Sequence, residues 1–277
     1  MTVRVAISNI AWDPAEDDAV ADVLRRHRVD AVDIAPGKYF PDPPAATDAE
    51  IERVRRAWAE RGVRIHGMQA LLFGTVGLNL FGEPDVRRAM LERLDAVCRI
   101  GAGLGCGPLV FGSPKNRDRA GLDDARVDAL AVEFFRDLGD RAARRGVTVC
   151  LEPNPVRYGC NFMTATAEAA RMVDRVAHPA IRLQLDTGAI TVNREPMAAT
   201  IRTHAALIGH VHASEPDLAT LGDGGTDHSA AARALRAVAP EAWVTIEMVA
   251  SAREPHVAAV ERALALALET YGAEVRT

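Results

Sequence analysis

The chain has 277 residues and a formal net charge of −5 at pH 7. This balance offers no general attraction to a phosphate backbone, which is gripped through clustered Lys and Arg, so nucleic acid is not an expected partner. No apolar run reaches about eighteen residues, which argues against a membrane-spanning helix, and four cysteines without C-x-x-C spacing are too few for a disulfide scaffold.

The opening MTVRVAISNI lacks a basic segment followed by a long apolar stretch and a small-residue cleavage site. It is therefore expected to be a first strand of a cytoplasmic protein. From there, β-branched runs alternate with Ala- and Arg-rich stretches of helical periodicity. The order is strand 3–10, helix 15–28, strand 31–36, helix 47–61, strand 63–69, helix 84–103, strand 108–113 and helix 123–145. It continues with strand 147–152, helix 164–177, strand 180–186, helix 195–205, strand 207–213, helix 227–238, strand 243–248 and helix 254–271. Asp13-Pro14, Thr47, Glu83-Pro84, Asp123 and Thr164 stand where helix caps or first-turn residues belong, and Gly62 and Gly146 stand where helices should end. The glycines of G-A-G-L-G-C-G at 101–107 follow a helix instead of a strand, so they mark a helix end and not a dinucleotide loop. Arginine pairs at 25–26, 55–56, 87–88 and 144–145 lie in helical stretches and are expected on solvated faces, whereas Cys98 and Cys150 are expected to be buried.

Alternating βα units require a parallel sheet with right-handed crossovers. Eight of them, without a Gly-rich first turn, select a closed barrel: an α/β chain folded as a single (β/α)₈ TIM barrel, one domain over residues 1–277. The proline-rich segment 36–46 and the apolar segment 70–83 (ALLFGTVGLNLFGE) are expected at the carboxyl-end face as walls or lids. The second carries more apolar side chain than a solvated loop, so it either closes over a site or packs against another copy in a homo-oligomer.

Chemistry concentrates at the ends of strands five to eight, where Glu152, Asp186, His212 and Glu247 stand in succession. Taken singly, a carboxylate there can cap the next helix and a strand histidine can be a core residue. Four together at the inward ends of neighbouring strands need one another, because each buried charge otherwise lacks a partner. Three carboxylates and an imidazole form an oxygen-rich set for one divalent ion, Mn²⁺ first, then Mg²⁺ or Co²⁺, with Zn²⁺ also compatible. Such an ion polarises a carbonyl and its neighbouring hydroxyl, and two flanking carboxylates can then remove and return a proton through an enediolate.

The motifs E-P-N-P after strand five, L-D-T-G after strand six, H-x-H-x-S-E-P with a later G-D-G-G-T-D-H, and I-E-M after strand eight carry a resemblance over essentially the whole chain. The chain resembles the xylose isomerase-like TIM-barrel superfamily. More narrowly it is similar to the sugar phosphate isomerase/epimerase group, which includes ketose 3-epimerases, hydroxypyruvate isomerases and inosose dehydratases, with endonuclease IV more distant. The resemblance implies that Glu152, Asp186, His212 and Glu247 are metal ligands and that Glu152 and Glu247 are the acid/base pair. Ketose 3-epimerases carry Glu, His and Arg at positions that here are Tyr158, Ala189 and Leu218, so an ordinary free ketose is disfavoured as substrate.

Gln69, Lys115, Asn154 and Tyr158 are the substrate-binding candidates, with Asn116 beside Lys115 and Lys38 as a further polar group. Glu215 and Asp227-His228 are expected to support the ligands, and His66 and His210 to be core residues. The expected function is metal-dependent isomerisation or epimerisation of a small, polar, sugar-like or hydroxy-ketone substrate. The alternatives are a dehydratase of the inosose type, an endonuclease IV-like phosphodiesterase, which would need more histidines and a basic groove, and a non-catalytic ligand-binding barrel.

Overall fold

Eight short strands lie at the expected places: β1 (Arg4–Ser8), β2 (Ala31–Ile34), β3 (Arg64–Met68), β4 (Pro108–Phe111), β5 (Thr148–Leu151), β6 (Ile181–Asp186), β7 (Ile208–Ser214) and β8 (Trp243–Glu247). They come from a computed structural model that describes residues 3–272; residues 1–2 and 273–277 of the expected 1–277 domain lie outside the described residues. All neighbours pair in parallel, and β1 closes on β8 from Arg4 opposite Trp243 to Ile7 opposite Ile246, so the sheet is a barrel with no free edge.

Nine α-helices cover the barrel among the described residues: α1 (Asp17–Arg26), α2 (Asp48–Glu60), α3 (Pro84–Leu104), α4 (Asp124–Arg145), α5 (Thr166–Val176), α6 (Thr187–Val192), α7 (Met197–His204), α8 (His228–Val238) and α9 (His256–Tyr271). Several starts follow from the caps read in the sequence. Thr47 and Glu50 form a reciprocal capping box, and Asp123 accepts from the backbone N–H of Arg126. Gly146 ends α4 at φ 72°, a conformation that favours glycine, and Gly105 does the same for α3 within the 101–107 segment. Thr164 is not a cap: α5 begins one residue after Ala165, and the Thr164 backbone N–H and hydroxyl both donate to Glu168.

The short helix α6 was not expected, because T-G-A-I-T-V is rich in β-branched residues. Asp186 forces the turn by accepting from the Ala189 N–H at 2.5 Å, a side-chain cap that overrides weak local propensity.

The sheet registers shift at two places, between Val32 and Asp33 and between Leu183 and Gln184. The second sets Gln184 opposite His210 and Asp186 opposite His212. Between sheet and helices lies a continuous core of Val, Leu, Ile and Phe, and all four cysteines are free and buried. No helix among the described residues is long and apolar enough to cross a membrane.

Segment 70–83 packs mostly on its own barrel. Leu71, Leu72, Leu80 and Phe81 are buried, and Phe81 meets Phe162 edge-on at 4.9 Å. Asn116 ties the segment down, with Nδ2 donating to Thr75 Oγ1 and Leu78 O and its carbonyl accepting from Leu80 N. Only Phe73 and Val76, 84% and 93% exposed, leave the tip apolar and open.

Candidate metal centre

The barrel brings Glu152, Asp186, His212 and Glu247 together, with ligand atoms all within 4.8 Å of one another. His212 Nδ1 faces both Glu152 Oε1 and Glu247 Oε2 at 3.2 Å. Each carboxylate has its own support. Asp186 accepts from Ala189 N and from Ser214 Oγ at 2.6 Å, and Glu247 accepts from Gln69 Nε2 at 2.8 Å. Asn154 Nδ2 lies 3.4 Å from Glu152 Oε2 and donates at 2.7 Å to Gly112 O.

Three supports escaped sequence reasoning. A β-carbon at Gly112 would stand 1.9 Å from Glu152 Oε2, so the absence of a side chain there makes room for the carboxylate. Arg117, fully buried, donates to the backbone carbonyls of Glu152 and Gly112 and holds the two loops together. Ser214 links Asp186 to the Gly188 N–H. Their signals were present only as an unremarkable glycine after strand four, the R of PKNR and the S of H-x-H-x-S.

The electrostatics ask for a cation. Burial, Glu247 and Glu152 together push the Asp186 carboxyl up to about 8, so this site resists carrying three negative charges unaided. Burial disfavours a charged His212, but Glu247 and Glu152 outweigh it and hold its pKa well above 6.5. Burial likewise opposes the Glu247 charge, and His212 prevails to lower its pKa. A divalent ion would satisfy all four groups at once, and the hard, oxygen-rich donor set fits one.

Beneath the ligands, the barrel interior is polar. Asp33 and His210, both buried, are in ion-pair contact at 2.9 Å, although neither Asp33 oxygen has a well-aligned hydrogen bond. Burial works against the Asp33 charge; His210, and then His66 and His212, overcome it and lower the carboxyl to about 2. Gly67 accommodates this carboxylate, since a β-carbon there would come within 2.9 Å of Asp33 Oδ1. His210 also faces Gln184 and Thr245 and is an interior residue as expected, whereas His66, stacked between His210 and Trp243, is half-buried and lines a cavity with Pro108 and Trp243.

Two cavities meet at the carboxylates. One of about 490 Å³ is lined by Glu152, Asn154, Tyr158, Asp186 and Glu247, among others. The other, about 540 Å³, shares Glu152 and Glu247 and includes Gln69 and Lys38. Gln69, Asn154 and Tyr158 are thus brought to the site. Lys115 is not: it is exposed on a short turn and lines neither cavity, because the buried neighbours Asn116 and Arg117 anchor that turn and leave Lys115 on its outer side. Glu215 lines the first cavity and is fully engaged, accepting from Gly222 N and Thr226 N and facing His228 Nε2 at 3.1 Å. Asp227 caps α8.

Residues 21–269 match the family described as xylose isomerase-like TIM barrel. Over 123 residues, 44% of this chain and 43% of the relative, the sequence is 29% identical to L-ribulose 3-epimerase of Methylomonas sp. (strain DH-1). Over 103 residues, 37% of this chain and 35% of the relative, it is 27% identical to D-psicose 3-epimerase of Agrobacterium fabrum (strain C58 / ATCC 33970). The matched regions therefore span less than half the length of either curated relative. Among solved structures, D-psicose 3-epimerase with D-tagatose from Clostridium cellulolyticum H10 superposes with a TM-score of 0.81 at 18% identity, over 98% of this chain and 100% of the other. At that identity the likeness is one of fold.

Proposed function

The chain belongs to the xylose isomerase-like TIM-barrel family, and from that premise we propose that it is a divalent-metal-dependent isomerase or epimerase of a small sugar-like or hydroxy-ketone substrate. The observation that carries this reading is the pair Glu152 and Glu247, each 3.2 Å from His212 Nδ1 at the meeting point of two cavities. The similarity of parts of the chain to ketose 3-epimerases supports it.

Glu152, Asp186, His212 and Glu247 hold the ion, Mn²⁺ in this proposal. When bound, the ion supplies polarisation of the substrate carbonyl and its neighbouring hydroxyl, which lowers the cost of an enediolate. Asp186 has both oxygens hydrogen-bonded and serves as a ligand only. Glu152 and Glu247 reach the reacting carbon from non-adjacent strands, one removing the carbon-bound proton and the other returning it. Gln69 fixes the Glu247 rotamer through Oε1, and Asn154 positions Glu152. Returning the proton to the opposite face gives epimerisation; returning it to the neighbouring carbon gives isomerisation.

Elemental analysis after metal loading should find one divalent ion per chain. Turnover in D₂O should then place deuterium on the carbon next to the carbonyl. A metal-loaded enzyme that turns over its substrate and leaves that carbon unlabelled, as an intramolecular hydride shift between neighbouring carbons would, refutes the proton-transfer reading. Self-association is also part of the proposal and would use the open apolar tip of segment 70–83; light scattering of the parent and Val76→Ser tests it, with a smaller particle expected for the variant.

A further inference from the structure

The cavity of about 540 Å³ on the β1–β4 side of the metal centre is walled by Ile10, Ala35, Phe73, Val110, Leu218 and Val249. Apart from Glu152, Glu247 and the buried Gln69 Oε1, which has no partner, its polar side chains are already engaged. Lys38 Nζ donates to the carbonyls of Asn9 and Trp12, Ser113 Oγ donates to Asn116 Oδ1, and Gln69 donates to Glu247. The adjoining cavity is similar: the Tyr158 hydroxyl accepts from Asp217 N, Glu215 is saturated within its own loop, and Ala189 contributes no donor.

Leu218 lines both cavities. It lies at φ 51°, directly after Asp217 at φ 59°, a backbone state uncommon for leucine. The turn is fixed by Leu218 N donating to Glu215 O and by Val249 N donating to Leu218 O. Strain of this kind is tolerated where the surroundings determine it, and here it sets an apolar side chain where the two cavities join.

Polyol chains need donors and acceptors free to meet each hydroxyl, and burying unmatched hydroxyls is unfavourable. Resting on the metal-centre reading above, we infer that the true substrate is a hydroxy-ketone bearing an apolar substituent, an alkyl or aryl group of roughly ring size. The hydroxy-ketone oxygens meet the metal centre, and the substituent fills the cavity between Ile10, Phe73 and Val249.

Calorimetry on the full chain loaded with Mn²⁺ tests this with three hydroxamates, which chelate through two oxygens as a hydroxy-ketone would: acetohydroxamate, phenylacetohydroxamate and a trihydroxybutanoyl hydroxamate. Burial of the ring should make the phenyl compound bind about 10–100-fold tighter than either of the others. Val249→Ser, at an exposed position outside the apolar tip, should narrow the phenyl-to-acetyl ratio several-fold. Leu218→Arg should narrow it too and tighten the polyol. If acetohydroxamate binds but the phenyl compound gains nothing, or the polyol binds best, the substrate inference is overturned and the metal centre stands. If no hydroxamate binds, the metal-centre reading fails and the inference fails with it.

Discussion

Glu152 and Glu247 are supported differently, one by Asn154 and the space over Gly112, the other by Gln69. Glu152→Gln and Glu247→Gln should each lower turnover about 10²–10⁴-fold, the usual contribution of a positioned acid or base, in steady-state kinetics with metal occupancy measured in parallel. Gly112→Ala should displace Glu152 and weaken Mn²⁺ at least about tenfold by calorimetry, since a site tolerates only about half an ångström of displacement. Asp33 acts from below through its ion pair with His210, and its charge reaches His212 at longer range, so Asp33→Asn should weaken Mn²⁺ by less than about tenfold by calorimetry. The unloaded cluster also fixes a pH dependence. Asp186 is raised from 3.8 to about 8 and His212 well above 6.5, so the folded state binds protons that the unfolded chain releases. Burial lowers His66 to about 4, which offsets Asp186 between about 4 and 6.5, so stability of the metal-free protein should fall as pH rises from about 6.5 through 8, from Asp186 and His212 together. Melting temperatures recorded across that range with a chelator should show the decline, and saturating Mn²⁺ should flatten it.

The loops that follow the strands matter as much as the strands themselves. Segment 70–83 is secured by Asn116, whose amide reaches Thr75 and Leu78 and whose carbonyl takes Leu80 N–H. Asn116→Ala should accelerate hydrogen exchange over residues 75–81 with little change in the strands, at a cost of about 1–3 kcal/mol for the Leu78 carbonyl and Thr75 hydroxyl that lose the amide. The loop was legible in the sequence as an apolar insertion on the catalytic face. Whether its leucines faced a ligand, a second copy or the barrel was not, because contact with Asn116 and Phe162 depends on residues 35 or more positions away. The same holds for α6: its β-branched residues gave no helical signal, and Asp186 supplies the cap from the end of β6.

At the scale of the molecule, ion binding and folding are linked. On the proposed reading, the four groups at the ends of β5 to β8 would share one ion only when the barrel is closed, so a bound metal would stabilise the native state by mass action. At a free Mn²⁺ concentration about 100 times its Kd, the stabilisation is about 2.7 kcal/mol at 25 °C, and chelation should lower the melting temperature accordingly. Glu152→Gln should show a smaller difference between loaded and chelated samples, which scanning calorimetry would detect.

The order of eight βα units, and hence the closed parallel barrel, was determined by the sequence alone, because hydrophobic periodicity and cap residues act over a few neighbours. The four ligand candidates were legible for the same reason: strand ends are local features, and parallel closure carries them to one face. Tertiary structure alone decided what surrounds them. Gly112 beside Glu152, Arg117 beneath the β4 and β5 loops, Ser214 on Asp186 and the exclusion of Lys115 from the cavities all depend on which side of each turn faces inward. Side-chain direction in such turns is set by packing between distant segments, for which a linear pattern carries no period.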